Sequence, residues 1–432
     1  MDVRPGYKLT EIGIIPEDWD AVPLGDLFTF KNGLNKAKKY FGYGTPIVNY
    51  MDVFGRPGLR LDHIKGRVDV SRSELEGFEV RKGDVFFTRT SETVEEIGVA
   101  AAMLDPAKDT VFSGFVLRAR PTDDSLDDHF KAYCFSPKYF RQQVIARATY
   151  TTRALTNGRS LSATILARPP RAEQESIAEA LSDVDAAIAA IRRLIAKKRD
   201  LRTGAMQRLL TGESRLPGFT APWQEKRLGE LGRFLKGSGV PRGAAFSGEL
   251  PCIRYGEVYT THHNVVRQFT SRISRAVANN ATRIQFRDLL FAGSGETKEE
   301  IGKCVALTTD VEAYAGGDII ILRPYGGDPV FLGYLMNIPQ VARQKANRGQ
   351  GDAVVHVSAR ALASVEVLLP DEREQEAIAE VLSDMEAEIA ALEARLAKTR
   401  DLKQAMMQAL LTGRVRLPVS AVETCEPEAA HG

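Results

Sequence analysis

An internal duplication constrains this sequence more than any other feature. The segment DWDAVPLGDLFTFKNG, from Asp18, recurs as PWQEKRLGELGRFLKG from Pro222, so the two tryptophans, Trp19 and Trp223, occupy matching places. PIVNYMDV from Pro46 matches PCIRYGEV from Pro251, and GDVFFTRTSETVEEIG from Gly83 matches RDLLFAGSGETKEEIG from Arg287. The strongest match sets EQESIAEALSDVDAAIAAI, from Glu173, against EQEAIAEVLSDMEAEIAAL, from Glu374, and it runs on to LLTGESRLP at Leu209 and LLTGRVRLP at Leu410. Self-similarity of this kind means one structural unit used twice. The two helical stretches are nearly the same, whereas the two globular stretches share landmarks and differ between them. A common frame therefore carries two different modules.

The helical stretches have the spacing of a coiled-coil seam. In the first, Ile177, Leu181, Val184, Ile188, Ile191 and Ile195 follow steps of four and three, and in the second so do Ile378, Leu382, Met385, Ile389, Leu392 and Leu396. Pro169-Pro170 and Pro370 precede them, and Gly212 and Gly413 stand as C-terminal stops. A run of roughly 38 residues spans about 57 Å at 1.5 Å per residue. Equal length and register favour pairing with each other over packing on separate domains. Both stretches open acidic (Glu173, Glu175, Glu179, Asp183, Asp185; Glu374, Glu376, Glu380, Asp384, Glu386, Glu388) and finish basic (Arg192, Arg193, Lys197, Lys198, Arg199, Arg202; Arg395, Lys398, Arg400, Lys403). Side by side in parallel, like charges would face each other; antiparallel, each acidic half meets a basic one. The short connector from Gly212 to about Phe219 also puts the second globular stretch at the end of the first helix. That stretch leaves directly into the second helix, so the helices turn around it like a hairpin.

Short apolar runs bounded by Gly, Pro and Asp read as strands in the globular stretches: TPIVNY, GDVFFTR, DTVFSGFVLRAR, LPCIRYGEV and GGDIIILRP. Helical pieces fall near DDHFKAYCFSPKYFRQQVIARA and PVFLGYLMNIPQVARQKAN. The expected fold class is α+β: two mixed α/β domains related by a pseudo-twofold, joined and spaced by two long helices in an antiparallel coiled coil. The expected segments are 1–165 and 218–366 for the globular domains, 166–217 and 367–418 for the helices with their linkers, and 419–432 for an acidic, disordered tail.

Loops rich in Lys, Arg, Asn, Gln, Ser and Thr recur at like places in the two domains. Lys and Arg suit phosphates, and Arg, Asn, Gln, Ser and Thr read base edges. The candidate nucleic-acid contacts in the first domain are Lys31, Lys36, Lys38, Lys39, Asn49, Tyr50, Thr88, Arg89, Thr90, Ser91, Arg153 and Arg159. In the second they are Lys236, Arg242, Arg254, Tyr255, Ser294, Thr297, Lys298, Arg348 and Gln350. Glu92 and Glu296, inside the matching acidic segments, are expected to cap a turn or hold neighbouring loops.

Lys plus Arg number 58 against 56 Asp plus Glu, a formal charge of +2, which argues against a uniformly basic DNA-binding protein. Segments differ, however. The first domain is nearly neutral, the second mildly basic, and the tail carries Glu423, Glu426 and Glu428 with no Lys or Arg. Cys134, Cys252, Cys304 and Cys425 form no CxxC pair, and His262 and His263, neighbours that point to opposite faces of a strand, do not make a metal site. GSGETKEEIGKC lacks phosphate-loop spacing, with no Ser or Thr after Lys303, and KGSGVPRG lacks the strand-then-helix setting of a dinucleotide site. Neither a GxSxG elbow nor an Asn-Pro-Pro-aromatic run is present. No apolar stretch approaches a membrane span and the first residues lack a signal-peptide core, so a cytoplasmic location is expected.

The order domain–helix–domain–helix, with YKLTEIGIIPEDW at the start, GDVFFTRTSETVEEIG in the first domain, PPRAEQESIAEAL and LPDEREQEAIAEVL opening the helices and LLTGESRLPGF and LLTGRVRLP closing them, resembles the specificity subunit of type I restriction–modification systems. The resemblance runs from about Tyr7 to Pro418; the acidic RTSETVEEIG and GSGETKEEIG depart from a more glycine-rich family form. It implies two target-recognition domains, each reading half of a bipartite, asymmetric DNA target. It further implies helices that set the spacing and dock two methyltransferase (modification) subunits, with two motor-nuclease (restriction) subunits joining for cleavage. Chemistry and cofactors (S-adenosylmethionine, ATP and Mg²⁺) would then belong to the partners. Half-sites one DNA turn apart, about 34–36 Å, suit readers on such a spacer. The competing reading is a coiled-coil adaptor whose globular ends bind proteins.

Overall fold

The computed structural model describes residues 3–418 apart from 151 and 352–353; the expected acidic tail, 419–432, lies outside the described residues, as does the Arg242 side chain. Each globular domain is built on the same five-stranded sheet. In the first, β1 (Phe28–Asn32), β2 (Gly58–Leu59), β3 (Val85–Thr88), β4 (Ala100–Met103) and β5 (Val116–Pro121) are ordered β1-β5-β3-β4-β2. In the second, β6 (Gly232–Lys236), β7 (Asn264–Val266), β8 (Leu289–Ala292), β9 (Cys304–Leu307) and β10 (Ile319–Pro324) are ordered β6-β10-β8-β9-β7. Pairing is antiparallel throughout except at the last step of each, β4 with β2 and β9 with β7. The central strands β3 and β8 are buried at every position, which is why VFFT and LLFA are continuous apolar runs rather than alternating ones. A buried carboxylate locks the same corner of each sheet: Arg120 Nη2 lies 2.7 Å from Asp84 Oδ2, and Arg323 Nη2 lies 2.7 Å from Asp288 Oδ2.

One stretch read as a strand is half helix. LPCIRYGEV is extended only over Leu250–Ile253 and then turns into the short helix Tyr255–Thr260. The reason is a side-chain cap on the backbone: the Glu257 carboxylate accepts from the Arg254 N–H at 2.8 Å, ending the extended run. Asp52 does the same to the Asn49 N–H, at 2.8 Å, before the helix Tyr50–Val53. His262 is buried and His263 exposed, both just ahead of β7 rather than on it.

The long helices are α1 (Arg171–Leu209) and α2 (Glu372–Leu410), each of 39 residues. Their seam positions are covered: Ile177, Leu181, Ile188, Ile191, Ile195, Ile378, Leu382 and Ile389 are buried, and Val184, Met385, Leu392 and Leu396 half-buried. Contacts divide the chain into two units, one holding residues up to Ile191 and from Arg395 on, the other Arg192–Ala394. Each unit thus owns one globular domain, half of α1 and half of α2. In the first, Lys403 Nζ bridges Asp185 Oδ1 at 2.7 Å and Oδ2 at 2.8 Å. In the second, Lys198 Nζ meets Glu388 Oε1 at 2.6 Å and Arg202 Nη1 meets Glu386 Oε1 at 3.5 Å. In the second unit the rising numbers of α1 meet the falling numbers of α2, and in the first the earlier Glu173 meets the later Arg416, so the helices pair antiparallel.

The repeated motifs at the helix ends close each unit. Glu173 is buried in the first turn of α1 and accepts from Trp19 Nε1 at 2.8 Å and from Arg416, just past the end of α2. Glu374, buried in the first turn of α2, accepts from Trp223 Nε1 at 3.0 Å and from Arg215, just past the end of α1. The next residues staple the helix starts to their domains. Gln174 donates to Ser125 O and Pro169 O and accepts from Asp127 N, while Gln375 donates to Pro370 O and accepts from Asp328 N. Gly212 (φ 73°) and Gly413 (φ 66°) end the helices in the left-handed region, and a Cβ on Gly413 would stand 2.4 Å from Pro16.

Candidate nucleic-acid interface

In the first unit the expected basic cluster splits in two. Lys31 Nζ donates to Gly77 O at 2.6 Å, and Lys36 Nζ is held by Asp69 O and Glu74 Oε2, both at 2.7 Å. Lys36 in turn keeps the Glu74 carboxyl below the usual carboxylate range. Lys38 and Lys39 stand exposed on the turn Lys38–Tyr40. Asn49 stands before the short helix with its amide donating to Ile47 O at 3.3 Å, and Tyr50 at the helix start stacks against Phe54 just past its end, ring centroids 5.6 Å apart. Thr88 is fully buried and its hydroxyl accepts from Val99 N at 2.9 Å. Arg89 is half-buried, its N–H bonded to Phe115 O.

Beyond Arg89 the chain forms a small three-stranded sheet. Thr90–Ser91 pairs with Ala154–Leu155, which pairs with Thr149–Tyr150. Around it lie Arg153, 4.0 Å from Glu92, and the exposed Arg159 of the short helix Gly158–Ser162. Tyr150 (59% exposed), Leu155 and Phe115 present apolar surface there.

The second unit repeats the plan with other side chains. Lys236 is exposed at the end of β6, and half-buried Arg254 precedes exposed Tyr255. Ser294–Gly295 pairs with Val355–His356, and Gln350 pairs with His356 through both backbone groups, at 2.9 and 2.8 Å. Thr297 and Lys298 are exposed on the turn that follows, as is Glu296. Arg348 is engaged by its own domain, donating to Ser364 Oγ at 2.8 Å, Ser364 O at 3.1 Å and Gln344 O at 2.8 Å.

Two cations under these turns, half-buried Arg141 and buried Lys345, escaped sequence reasoning. Arg141 donates to the carbonyls of Gly98 (2.7 Å) and Glu95 (3.0 Å), anchoring the end of the first acidic turn. In the second domain Lys345 donates to the carbonyls of Gly302 and Met336, and burial pushes its ammonium down to about 8. The equivalence Gln143–Ile165 and Gln344–Glu366, each a two-way side-chain-to-backbone pair, shows that Arg141 sits one turn before the position Lys345 occupies. One equivalent carbonyl, Gly98 in the first domain and Gly302 in the second, is held from different rungs of the helix, so aligning the sequences does not bring these residues together. His356 was also missed; its register with Ser294 is visible only in the folded sheet.

Two like domains that carry different polar platforms on a common sheet frame, each closed by part of a shared helix pair, define a duplicated two-module scaffold. The family model described as the type I restriction modification DNA specificity domain matches residues 16–197 and again 221–399. The chain belongs to that family. Among its relatives, the type I restriction enzyme MjaVIII specificity subunit of Methanocaldococcus jannaschii is 20% identical over 419 residues, covering 93% of this chain and 94% of that one. The type I restriction enzyme EcoKI specificity subunit of Escherichia coli is 22% identical over 207 residues, 46% of this chain and 42% of that one. Over the leading curated matches the chain spans about half of the relatives' length. The S subunit of a type I restriction–modification system from M. genitalium has the same fold, with a TM-score of 0.54 at 14% identity over 95% of this chain and 98% of that one. Among the described residues no helix is long and apolar enough to cross a membrane.

Proposed function

We propose that this chain is the DNA-reading subunit of a type I restriction–modification complex and carries no catalytic group of its own. Each domain reads one half of a bipartite target, and because the two platforms differ in side chains the target is asymmetric. The helices dock two methyltransferase (modification) subunits, and two motor-nuclease (restriction) subunits join for cleavage. S-adenosylmethionine, ATP and Mg²⁺ are used by those partners, and the assembly works on DNA in the cytoplasm. The observation that carries this reading is the pairing of one repeated sheet order with two chemically different polar platforms, Thr90–Leu155 and Ser294–His356. A protein-binding adaptor has no need of matched platforms.

The test is binding of duplex DNA by the chain assembled with its modification subunits, across a salt series. Phosphate contacts release counterions, so log K falls linearly with log salt, by about 0.9 per phosphate engaged. A steep negative slope is expected. Weak binding that does not change with salt would contradict a DNA-reading role.

A further inference from the structure

The small sheets beside the two acidic turns superimpose residue by residue through their register. Ser294 follows β8 as Thr90 follows β3, and both lie directly opposite a residue of the neighbouring strand: His356 in the second domain, Leu155 in the first. A third strand places Thr149 opposite Leu155 in the first domain, and an isolated antiparallel bridge places Gln350 opposite His356 in the second. Residues directly opposite in adjacent strands project from the same face of a sheet. Each domain therefore displays a row of three side chains, Thr90–Leu155–Thr149 in the first and Ser294–His356–Gln350 in the second. Leu155, Thr149, His356 and Gln350 are exposed, Thr90 is half-buried and Ser294 is buried.

The geometry points to this row as the element that determines base preference, with His356 the specificity-determining residue of the second half-site. The inference rests on the DNA-reading role proposed above. Ser294 Oγ lies 2.9 Å from His356 Nδ1, which fixes the ring and leaves Nε2 as the nitrogen available to a ligand. Backbone bonds to Gln350 on the other side keep the strand from shifting. A ring nitrogen beside the Gln350 amide can exchange hydrogen bonds with a base edge in the major groove. Leu155 at the same place offers only apolar contact, which suits the 5-methyl of thymine. Within this row the central position thus changes chemical character, hydrogen-bonding in the second domain and apolar in the first.

The experiment uses the full chain assembled with its modification subunits and duplex libraries in which one half of the target is randomised. The wild-type complex first defines the methylated motif; if it yields no bipartite motif, the DNA-reading role itself fails, separately from this inference. With the wild type established, His356→Leu is expected to change the preferred base at one position of the second half-site, by at least ten-fold in relative methylation, and to leave the first half unchanged. Leu155→His is expected to act on the first half alone. Recovery of the wild-type motif from both variants would overturn the assignment. So would a His356→Leu change in the first half, or failure of this variant to methylate any library member while its thermal unfolding matches the wild type.

Discussion

Arg416 holds the buried carboxylate of Glu173, its Nη2 lying 2.7 Å from Oε2, although the two residues are 243 positions apart. The same guanidinium reaches Asp18 Oδ2 at 2.8 Å, and these bonds hold Arg416 well above, and Asp18 below, their ordinary ranges. Arg215 and Glu374 repeat the clamp in the second unit. The start of each helix is thereby tied to the residue that follows the end of the other, which is why EQE and LLTGxxRLP occur twice.

Replacing Arg416 by Met leaves Glu173 buried with Trp19 as its remaining donor. Breaking a buried pair from one side costs about 3–5 kcal/mol, and the partial exposure of Arg416 places the expected loss at the lower end. Trp19 fluorescence in a Trp223→Phe background reports the first unit, and its denaturation midpoint should fall. An unchanged midpoint would show that the clamp contributes nothing.

Gly413→Ala should destabilise more than Gly212→Ala. Both glycines have positive φ, which costs an Ala about 1 kcal/mol. The Gly413 Cβ would also meet Pro16 at 2.4 Å, against 3.4 Å from Trp223 for Gly212, adding roughly 1–3 kcal/mol of overpacking. Equal losses in paired thermal melts would contradict this order.

The helix pairing predicts coupling between Asp185 and Lys403. A double-mutant cycle with Asp185→Asn and Lys403→Met should give a coupling energy of about 0.5–1 kcal/mol, as befits a partly exposed pair. Tyr133, whose hydroxyl donates to Asp185 Oδ2 at 3.0 Å, is kept in both variants. Coupling of zero would speak against the antiparallel register.

Lys345 introduces a pH dependence. Its pKa is about 8 when folded against an ordinary 10.5, so between these values the unfolded chain binds a proton that the folded one does not. Stability must then rise with pH across that window. The stability of wild type minus that of Lys345→Met should increase from pH 8 to pH 10, measured by urea unfolding. A flat or falling difference would show that the amine is not depressed by burial.

The frame of this molecule is legible in its sequence because it is written by repetition. The seam from Ile177 to Ile195, the two tryptophans and the acidic and basic ends of the helices all follow from spacing and sign. What was not legible depends on partners distant in the chain. Nothing local reveals that Lys36 is tied to Glu74 or that Arg348 spends its donors on Ser364, so both look like free cations in a list. Tyr255 sits in an apolar run, yet Glu257, three residues after Arg254, caps that backbone and turns the run into a helix. His356 gains its place only from strand register, which a single sequence does not specify.

The central claim is that each globular domain reads its own half of one DNA target. The most direct measurement replaces residues 218–366 with the corresponding domain of a relative, in cells that also carry the modification subunits, and maps methylated adenines across the genome. The second half of the methylated motif should change and the first half stay as it was. A change in both halves, or in neither, would contradict the account.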